Sequence, residues 1–202
     1  MTYFESRPLF LDQPANKGVS TASDLLNFRE PLMDVFTSYV DGKKIIDLGC
    51  NNGRWSSWFL DKGATFVEGV DMDNDFIVNA TSLMSNYFAS DKYKFTTENL
   101  ISYTPSTSFD LAALFNTLHY EAPFDQINHV CSYVNTVLVE MGDSTEDVMN
   151  PKSFYQGDFQ TEINPTKAKE KFINLGFNIT ELSTITNDLY GSRARFVAIK
   201  SS

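Results

Sequence analysis

The chain has 202 residues, 42% of them hydrophobic and 21% charged, which predicts one folded domain and excludes global disorder. With 16 basic and 26 acidic residues its formal net charge is -10, which makes it a poor electrostatic match for a polyphosphate such as RNA or DNA. No apolar run reaches the roughly 20 residues that span a bilayer, and the N-terminal sequence lacks the pattern of a signal peptide. The two cysteines, Cys50 and Cys131, are too few for a disulfide framework or a structural zinc site. We therefore expect a soluble, cytoplasmic protein.

Residues 1–40 precede the first predicted strand, and we expect them to form a helical lid segment beside a main domain of residues 41–202. Large apolar side chains recur at helical spacing in the second half of this segment, with an interruption near Pro31. They are Leu25, Phe28, Leu32, Phe36 and Tyr39.

Beyond residue 43 the pattern alternates between strand and helix. Short apolar runs predict strands over residues 44–48, 65–70, 93–97, 109–115 and 135–141. Helices are predicted between them over residues 54–62, 73–88 and 122–132. Because such alternation is typical of parallel sheets covered on both faces, we expect an α/β fold with a Rossmann-like, doubly wound and mostly parallel sheet.

The last part of the chain departs from this alternation. A helix capped by Asn164 is predicted to end at Gly176, and two strands follow over residues 177–186 and 193–200. Six residues are too few for a crossover, so these strands are expected to form an antiparallel hairpin. Residues 142–164, before this helix, form a long predicted loop of the kind that is usually functional or disordered.

A tight turn with the sequence Asp47-Leu48-Gly49-Cys50-Asn51-Asn52-Gly53 follows the first strand. Its glycines would let the backbone pass close to a ligand, and the next helix would direct its first N–H groups there. No Lys-Ser/Thr pair follows, which excludes a P-loop, and Asn51 replaces the second glycine of the dinucleotide fingerprint. Asp47 would repel a pyrophosphate but suits an ammonium group, so an amino-acid-like ligand fits better. A strand–turn–helix that binds nothing is the alternative.

This turn and the motifs that follow it resemble those of the class I S-adenosylmethionine-dependent methyltransferases. IIDLGCNNG resembles the first motif of that family, D/E-x-G-x-G-x-G, with Asn51 at the middle glycine. GVDMD places Asp71 24 residues after Asp47, FDLAALFNTLHY resembles the fourth motif, and RARFVAIK resembles the last strand. The resemblance covers about residues 42–200 and implies the class I fold, S-adenosylmethionine as cofactor and methyl transfer as the activity.

The resemblance also implies a set of cofactor-binding residues. Asp71 would accept hydrogen bonds from the two ribose hydroxyls, with Met72 packed on the adenine; a helix N-cap is the alternative role for Asp71. Glu98 and Asn99 would meet the adenine edge, although a plain surface loop is equally consistent with them. The remaining residues would surround the methionine part: Asp47, Gly49, Cys50 (through its backbone), Asn51, Gly53, Phe115 and Asn116.

His119 is the predicted catalytic residue, because it follows the fourth strand, where open α/β sheets bind ligands. An imidazole there can act as a general base near neutral pH, or it can simply shape the pocket. Tyr120, Glu140 and Asp143 are predicted to bind the acceptor substrate. His129 lies inside a predicted helix and is expected to be structural.

The charge distribution gives an expectation about the acceptor. Residues 95–151 contain eight acids and no Lys or Arg, and the resemblance places their strand ends at the rim of the site. We therefore expect a neutral or cationic small molecule, with no nucleic acid, membrane or metal involved. Positive charge for a nucleic acid could come only from Arg7, Lys17, Arg29 or Lys152.

Two other functions stay open at this point. A nicotinamide-dependent oxidoreductase would share the alternating fold, but the missing third glycine and the closing hairpin argue against it. A methyltransferase-like subunit that binds the cofactor without activity of its own is consistent with every motif.

Overall fold

The structure, a computed structural model, describes residues 6–11, 33–118, 122–142, 163–187 and 191–201. Its strands are β1 (Lys44–Leu48), β2 (Phe66–Asp71), β3 (Tyr93–Thr97), β4 (Leu111–Phe115), β5 (Thr136–Gly142), β6 (Phe177–Asn187) and β7 (Gly191–Lys200). Its helices are α1 (Pro8–Leu11), α2 (Thr37–Val40) after a 3-10 turn (Asp34–Phe36), α3 (Arg54–Asp61), α4 (Asn74–Met84), α5 (Pro123–Val130) and α6 (Pro165–Asn174).

The seven strands form one sheet in the order β3-β2-β1-β4-β5-β7-β6. The first five strands run parallel, whereas β7 lies between β5 and β6 and is antiparallel to both. The predicted fold class is therefore confirmed, including the C-terminal antiparallel hairpin.

Helices cover both faces of the sheet, because the strands carry apolar side chains on both sides. One core layer joins α5 and α6 to the sheet through residues such as Ile127 and Phe172. The opposite layer joins α3 and α4 to the sheet and is rich in aromatic rings, among them Trp58 and Phe59. Among the residues that the structure describes, none of the helices has the length and apolar composition needed to cross a bilayer.

The described part of the N-terminal segment belongs to this aromatic layer. Phe10, Met33, Phe36 and Val40 are fully buried there, and the Phe36 ring lies 5.2 Å from the ring of Phe115. Leu25, Phe28 and Leu32, which carried much of the predicted helical pattern, lie outside the described residues. The division at residue 40 and the lid role stay predictions.

Several predicted element boundaries differ from the structure; for example, β4 begins at Leu111 and α5 ends at Val130, each two residues inside its predicted bound. The helix predicted over residues 73–88 ends at Met84, where the Asn86 side chain donates hydrogen bonds to the carbonyls of Ser82 and Leu83 and so caps the last turn. The hairpin strands are longer than predicted, because β6 and β7 pair as far as Asn187 and Gly191. The intervening residues 188–190 lie outside the described part.

Candidate functional site

The predicted cofactor residues meet at the carboxyl ends of four neighbouring strands. β3, β2, β1 and β4 are adjacent in the sheet, and the strand order reverses between β1 and β4. Crevices at such a reversal are where open α/β sheets bind ligands. The turn after β1, Asp71 at the end of β2, the loop after β3 and Asn116 after β4 all lie at this edge.

The turn after β1 has the geometry expected of the glycine motif, even though Asn51 replaces a glycine. Gly49, Asn51 and Gly53 all have left-handed backbone conformations, with φ of 76°, 51° and 74°. Asn tolerates this conformation better than most residues, so the substitution preserves the turn. A Cβ on Gly49 would lie 2.2 Å from Cγ2 of Thr117, which shows how closely this turn packs against the segment after β4.

The backbone N–H groups of this turn are all used within the protein. Those of Gly49 and Cys50 both donate to the carbonyl of Val70, and that of Gly53 donates to the carbonyl of Cys50. The N–H of Asn51 donates to Asp71, and that of Asn52 to the side chain of Asn51. The turn therefore offers no open row of donors for a pyrophosphate, and a backbone contact between Cys50 and a ligand stays a prediction.

Asp47 is a buried carboxylate at the base of the turn. Its side chain accepts a 2.6 Å hydrogen bond from the hydroxyl of Ser56 in the first turn of α3, and it also accepts from the backbone N–H of that residue. Burial raises the pKa of Asp47 to about 7, the charge of Asp71 adds to this effect, and the hydrogen bonds of Ser56 oppose it. A cation placed beside Asp47 would stabilise its ionised form.

Asp71 links the ends of β1 and β2. One carboxylate oxygen accepts from the N–H of Asn51 at 2.9 Å, and the other accepts from the N–H of Asp73 at 3.0 Å. Burial raises the pKa of Asp71, while these two backbone N–H groups oppose the rise. Each carboxylate oxygen can accept a second hydrogen bond, so Asp71 can still receive two hydroxyls. The N-cap of α4 is Asp73, not Asp71.

The residues predicted to meet an adenine lie next to Asp71. Met72 is 70% exposed, so its thioether side chain is open to a flat apolar partner. The N–H of Glu98 donates to the carbonyl of Asp71, which holds the loop after β3 against the end of β2. The side chain of Asn99 accepts from the N–H of Ile101 and shapes this loop.

Phe115 and Asn116 end β4 in different surroundings. The ring of Phe115 is buried among aromatic rings, including Phe59 and Trp55, so any contact with a ligand at this edge would have to come from its backbone. Asn116 is half-buried, has a φ of 59°, and donates from its side chain to Oε1 of Glu140 at 3.1 Å.

Glu140, predicted to bind the acceptor, lies inside the protein. Its side chain is fully buried, and Oε2 accepts a 2.9 Å hydrogen bond from Nε of Arg195. Oε1 faces Arg193 at 3.5 Å as well as Asn116, and Arg193 also donates to the side chain of Asn116. Glu140 thus holds other side chains of the site in place.

These contacts correct the expectation about positive charge. Both arginines come from β7, and Arg193 reaches Asn116 at the end of β4 while Arg195 pairs with Glu140 in β5, although residues 95–151 contain no base. The charge count over residues 95–151 missed these arginines, because β7 is the last strand in the sequence but lies beside β5 in the sheet. Arg7, by contrast, lies over the ring of Tyr87 and near Asp61 on the outer helices. Lys17, Arg29 and Lys152 lie outside the described residues.

Three predicted site residues, His119, Tyr120 and Asp143, lie outside the described part of the chain, so their roles stay predictions. His129 contacts the backbone carbonyl of Tyr103 at 2.5 Å through Nε2, in keeping with its predicted structural role.

Neither thiol chemistry nor a metal site was predicted for the chain. The thiol of Cys50 is buried, and burial raises its pKa well above the ordinary value. In the described ranges there is no group of three or more His, Cys, Asp or Glu residues placed to hold a metal ion.

Sequence reasoning missed Ser56, Arg193 and Arg195. A signal for the arginines was present, since a charged residue inside an otherwise apolar strand needs a buried partner of opposite charge. Glu140 is the matching exception in β5, and the register places it opposite Arg195. Nothing comparable distinguishes Ser56 from other serines.

Comparisons with known proteins agree with this geometry. A family model described as a methyltransferase domain matches residues 46–142. No curated protein sequence matches the chain. Among solved structures, the chain is similar to magnesium protoporphyrin IX methyltransferase from Synechocystis PCC 6803 with bound SAH, with a TM-score of 0.75 and 18% identity over 98% of this chain and 94% of that chain.

Two further solved structures have the same fold. An O-methyltransferase family protein from Burkholderia thailandensis has a TM-score of 0.66 and 15% identity, covering 88% of this chain and 57% of that one. A putative RNA methyltransferase from Pyrococcus horikoshii has a TM-score of 0.62 and 13% identity, covering 96% and 89%.

Proposed function

Because the chain belongs to the class I S-adenosylmethionine-dependent methyltransferases, we propose that it methylates a small molecule at the carboxyl edge of β1, β4 and β5. The observation that carries the proposal is the pair of acids at neighbouring strand ends, the buried Asp47 and the half-buried Asp71, beside a turn whose own N–H groups are already paired. Such a site suits a ligand with an ammonium group and a ribose, not one with a pyrophosphate.

The chain's residues fit S-adenosylmethionine group by group. Asp71 has acceptor capacity for the two ribose hydroxyls, and the exposed Met72 offers an apolar surface for the adenine. Asp47 supplies negative charge for the ammonium group, and Asn116 adjoins the methionine part. When bound, the cofactor supplies a methyl group on a sulfonium, so that the acceptor's lone pair forms the new bond while the carbon–sulfur pair stays on sulfur.

The protein's own contribution to the chemistry is positioning and proton transfer. An activated methyl group needs the acceptor held in line, which supplies most of the rate in such reactions. His119, the third residue after Asn116, is proposed as the base that takes the proton of an acceptor hydroxyl or amine. Tyr120 and Asp143 are proposed to contact the acceptor.

The net charge supports a small molecule as the acceptor in preference to a nucleic acid. The solved structures of this fold differ in substrate, since one is a magnesium protoporphyrin IX methyltransferase and another is a putative RNA methyltransferase. A net charge of -10 disfavours RNA, because nucleic-acid binding depends on several phosphate contacts from Lys and Arg. The expectation of a neutral or cationic acceptor depended on a rim without basic residues. Arg193 contacts Asn116 at that rim, so this reason for the expectation no longer applies.

Calorimetry with S-adenosylhomocysteine and, separately, NADH tests the cofactor. We expect binding of S-adenosylhomocysteine only, and binding of NADH alone would overturn the proposal. Transfer of tritium from methyl-labelled S-adenosylmethionine to a small-molecule extract then distinguishes an enzyme from a subunit that only binds the cofactor.

Filter binding of the isolated chain with bulk RNA and DNA at low salt tests the acceptor class. We expect no retention at micromolar protein, and retention of either nucleic acid would contradict a small-molecule acceptor.

A further inference from the structure

The strand register brings two opposite charges together in the interior of the sheet. Glu140 in β5 lies directly opposite Arg195 in β7, and both side chains are fully buried. The pair is joined through Nε of the arginine, which leaves the two terminal nitrogens of the guanidinium for other partners.

Glu140 has little acceptor capacity left for those nitrogens. Its Oε1 already receives the side chain of Asn116 and lies 3.5 Å from Nη1 of Arg193. Arg193, which is 14% exposed, also donates to Asn116. Within the described part of the chain, three charged side chains thus lie together, two of them positive and one negative.

The terminal nitrogens of Arg195 are the unusual feature of this cluster. Both Nη1 and Nη2 are buried, and neither has a hydrogen-bond partner in the part of the chain that the structure describes. A buried charged donor without an acceptor is unfavourable and rare in folded proteins. A guanidinium presents its N–H groups in a planar fork that matches two oxygens of a carboxylate or phosphate.

The cluster adjoins Asn116, which the proposed function places beside the methionine part of the cofactor. Arg193 contacts Asn116, the first residue after β4, and Asn116 precedes the buried Thr117, whose side chain packs under the turn after β1. The hydroxyl of Thr117 is also buried without a hydrogen-bond partner among the described residues. Buried polar groups without a partner among the described residues therefore occur on both sides of Asn116, at Arg195 beside β5 and at Thr117 beside the turn after β1.

We infer that Arg195, together with Arg193, binds an anionic oxygen group of the methyl acceptor, either a carboxylate or a phosphate. This inference rests on the proposed function and adds a negative charge to the acceptor that the sequence did not suggest. An oxygen that accepts hydrogen bonds from a guanidinium is a weakened nucleophile. The anionic group is therefore the part by which the acceptor is held, and another atom of the acceptor receives the methyl group.

The first experiment measures anion binding by the full chain saturated with S-adenosylhomocysteine. The protein is titrated with inorganic phosphate, acetate or chloride at matched ionic strength. Binding is measured by calorimetry, and stabilisation is measured by thermal unfolding. Phosphate or acetate should stabilise the protein more than chloride does. Arg195→Met should weaken that binding at least about tenfold, which is the loss expected when a charge-assisted contact is removed.

Two variants control for general effects. Lys200→Met, which removes an exposed charge from the same strand, should bind the anion as the unchanged protein does. Arg195→Lys keeps the positive charge but loses the planar fork of N–H groups, so it should give intermediate anion binding. This variant replaces Arg195→Met as the test if Arg195→Met does not fold. Equal anion binding by folded Arg195→Met or Arg195→Lys and by the unchanged protein would overturn the inference, as would a response no larger than that to chloride.

The second experiment identifies the source of the anion. Candidate acceptors are offered with tritiated-methyl S-adenosylmethionine in matched pairs, a carboxylate with its primary amide and a phosphate ester with its alcohol. Label should enter only the acidic member of a pair, and preferential labelling of the neutral members would contradict the inference. Failure of S-adenosylhomocysteine to bind would instead contradict the proposed function, so the two failures are distinguishable.

Discussion

The backbone N–H of Asn51 donates a 2.9 Å hydrogen bond to the carboxylate of Asp71, which ties the turn after β1 to the end of β2. Asp71 therefore has two tasks, since it orders the turn and offers its remaining acceptor capacity to a ligand. Both tasks bear on cofactor affinity, and both depend on one side chain.

Asp71→Ala should weaken binding of S-adenosylhomocysteine by roughly 1.5–3 kcal/mol, or about ten- to 150-fold, which is the scale of hydrogen bonds to a charged group. Calorimetry measures the change. Asp73→Ala is the matched control, because it removes a neighbouring carboxylate that caps α4, and it should leave affinity nearly unchanged. Equal affinity of Asp71→Ala and the unchanged protein would contradict the ribose assignment.

Asp47→Asn should make stability less dependent on pH. Burial raises the folded-state pKa of Asp47 from 3.8 to about 7, so the native state holds a proton that the unfolded chain releases. Stability from this group is therefore greatest at low pH and falls as pH rises between these two values, by a total on the order of 3–4 kcal/mol. Urea unfolding between pH 5 and pH 8 should show a smaller fall for Asp47→Asn.

Ser56→Ala provides the opposite control for Asp47. Its hydrogen bonds oppose the rise in pKa, so loss of the hydroxyl should raise the pKa further and extend the loss of stability to higher pH. Identical pH profiles for Asp47→Asn and the unchanged protein would show that Asp47 titrates normally.

Gly49→Ala should destabilise the fold more than Gly42→Ala. Both glycines have a φ near 75°, so both substitutions introduce backbone strain of about 1–2 kcal/mol. Only at Gly49 does the added Cβ meet another atom, Cγ2 of Thr117 at 2.2 Å, which should cost roughly a further 1–3 kcal/mol. Chemical denaturation measures both variants.

The double variant Gly49→Ala with Thr117→Ser tests the cause, because serine lacks the methyl group that the new Cβ would meet. It should recover part of the stability that Gly49→Ala loses. If the stability losses of Gly49→Ala and Thr117→Ser simply add in the double variant, the destabilisation by Gly49→Ala comes from backbone strain alone and not from the contact with Thr117.

His119→Gln should lower turnover by about 10²–10⁴, the usual contribution of general acid–base catalysis, while affinity for S-adenosylhomocysteine stays unchanged. His129→Gln is the control, because that histidine contacts the backbone of Tyr103 and is predicted to be structural. Full turnover by His119→Gln on an identified acceptor would leave positioning as the source of the rate.

The sequence predicted the parts of the site that follow each strand directly. Asp47, Asp71 and Asn116 could be placed from local patterns, since parallel strands align their carboxyl ends at one edge. The geometry at Asn51 was also within reach, because the glycine motif names the conformation and Asn can adopt it.

Contacts between distant strands were not predictable in the same way. Glu140 and Arg195 are 55 residues apart, and only the insertion of β7 beside β5 makes them neighbours. The charge count over residues 95–151 therefore described the rim of the site as free of basic residues. The actual balance of positive and negative charge depends on which strands pair and in what register. The early end of α4 likewise depended on the Asn86 side chain, which competes for the last carbonyls of the helix.

The place of β7 in the sheet sets the order in which the protein can assemble. Among the described residues β6 pairs with no strand other than β7, so a nascent chain that has reached only residue 187 lacks the strand with which β6 forms its ladder. Over the same interval the β5 carboxylate of Glu140 lacks its arginine. During synthesis, the β5–β7 edge of the sheet and the Glu140–Arg195 pair can thus form only after β7 has been made.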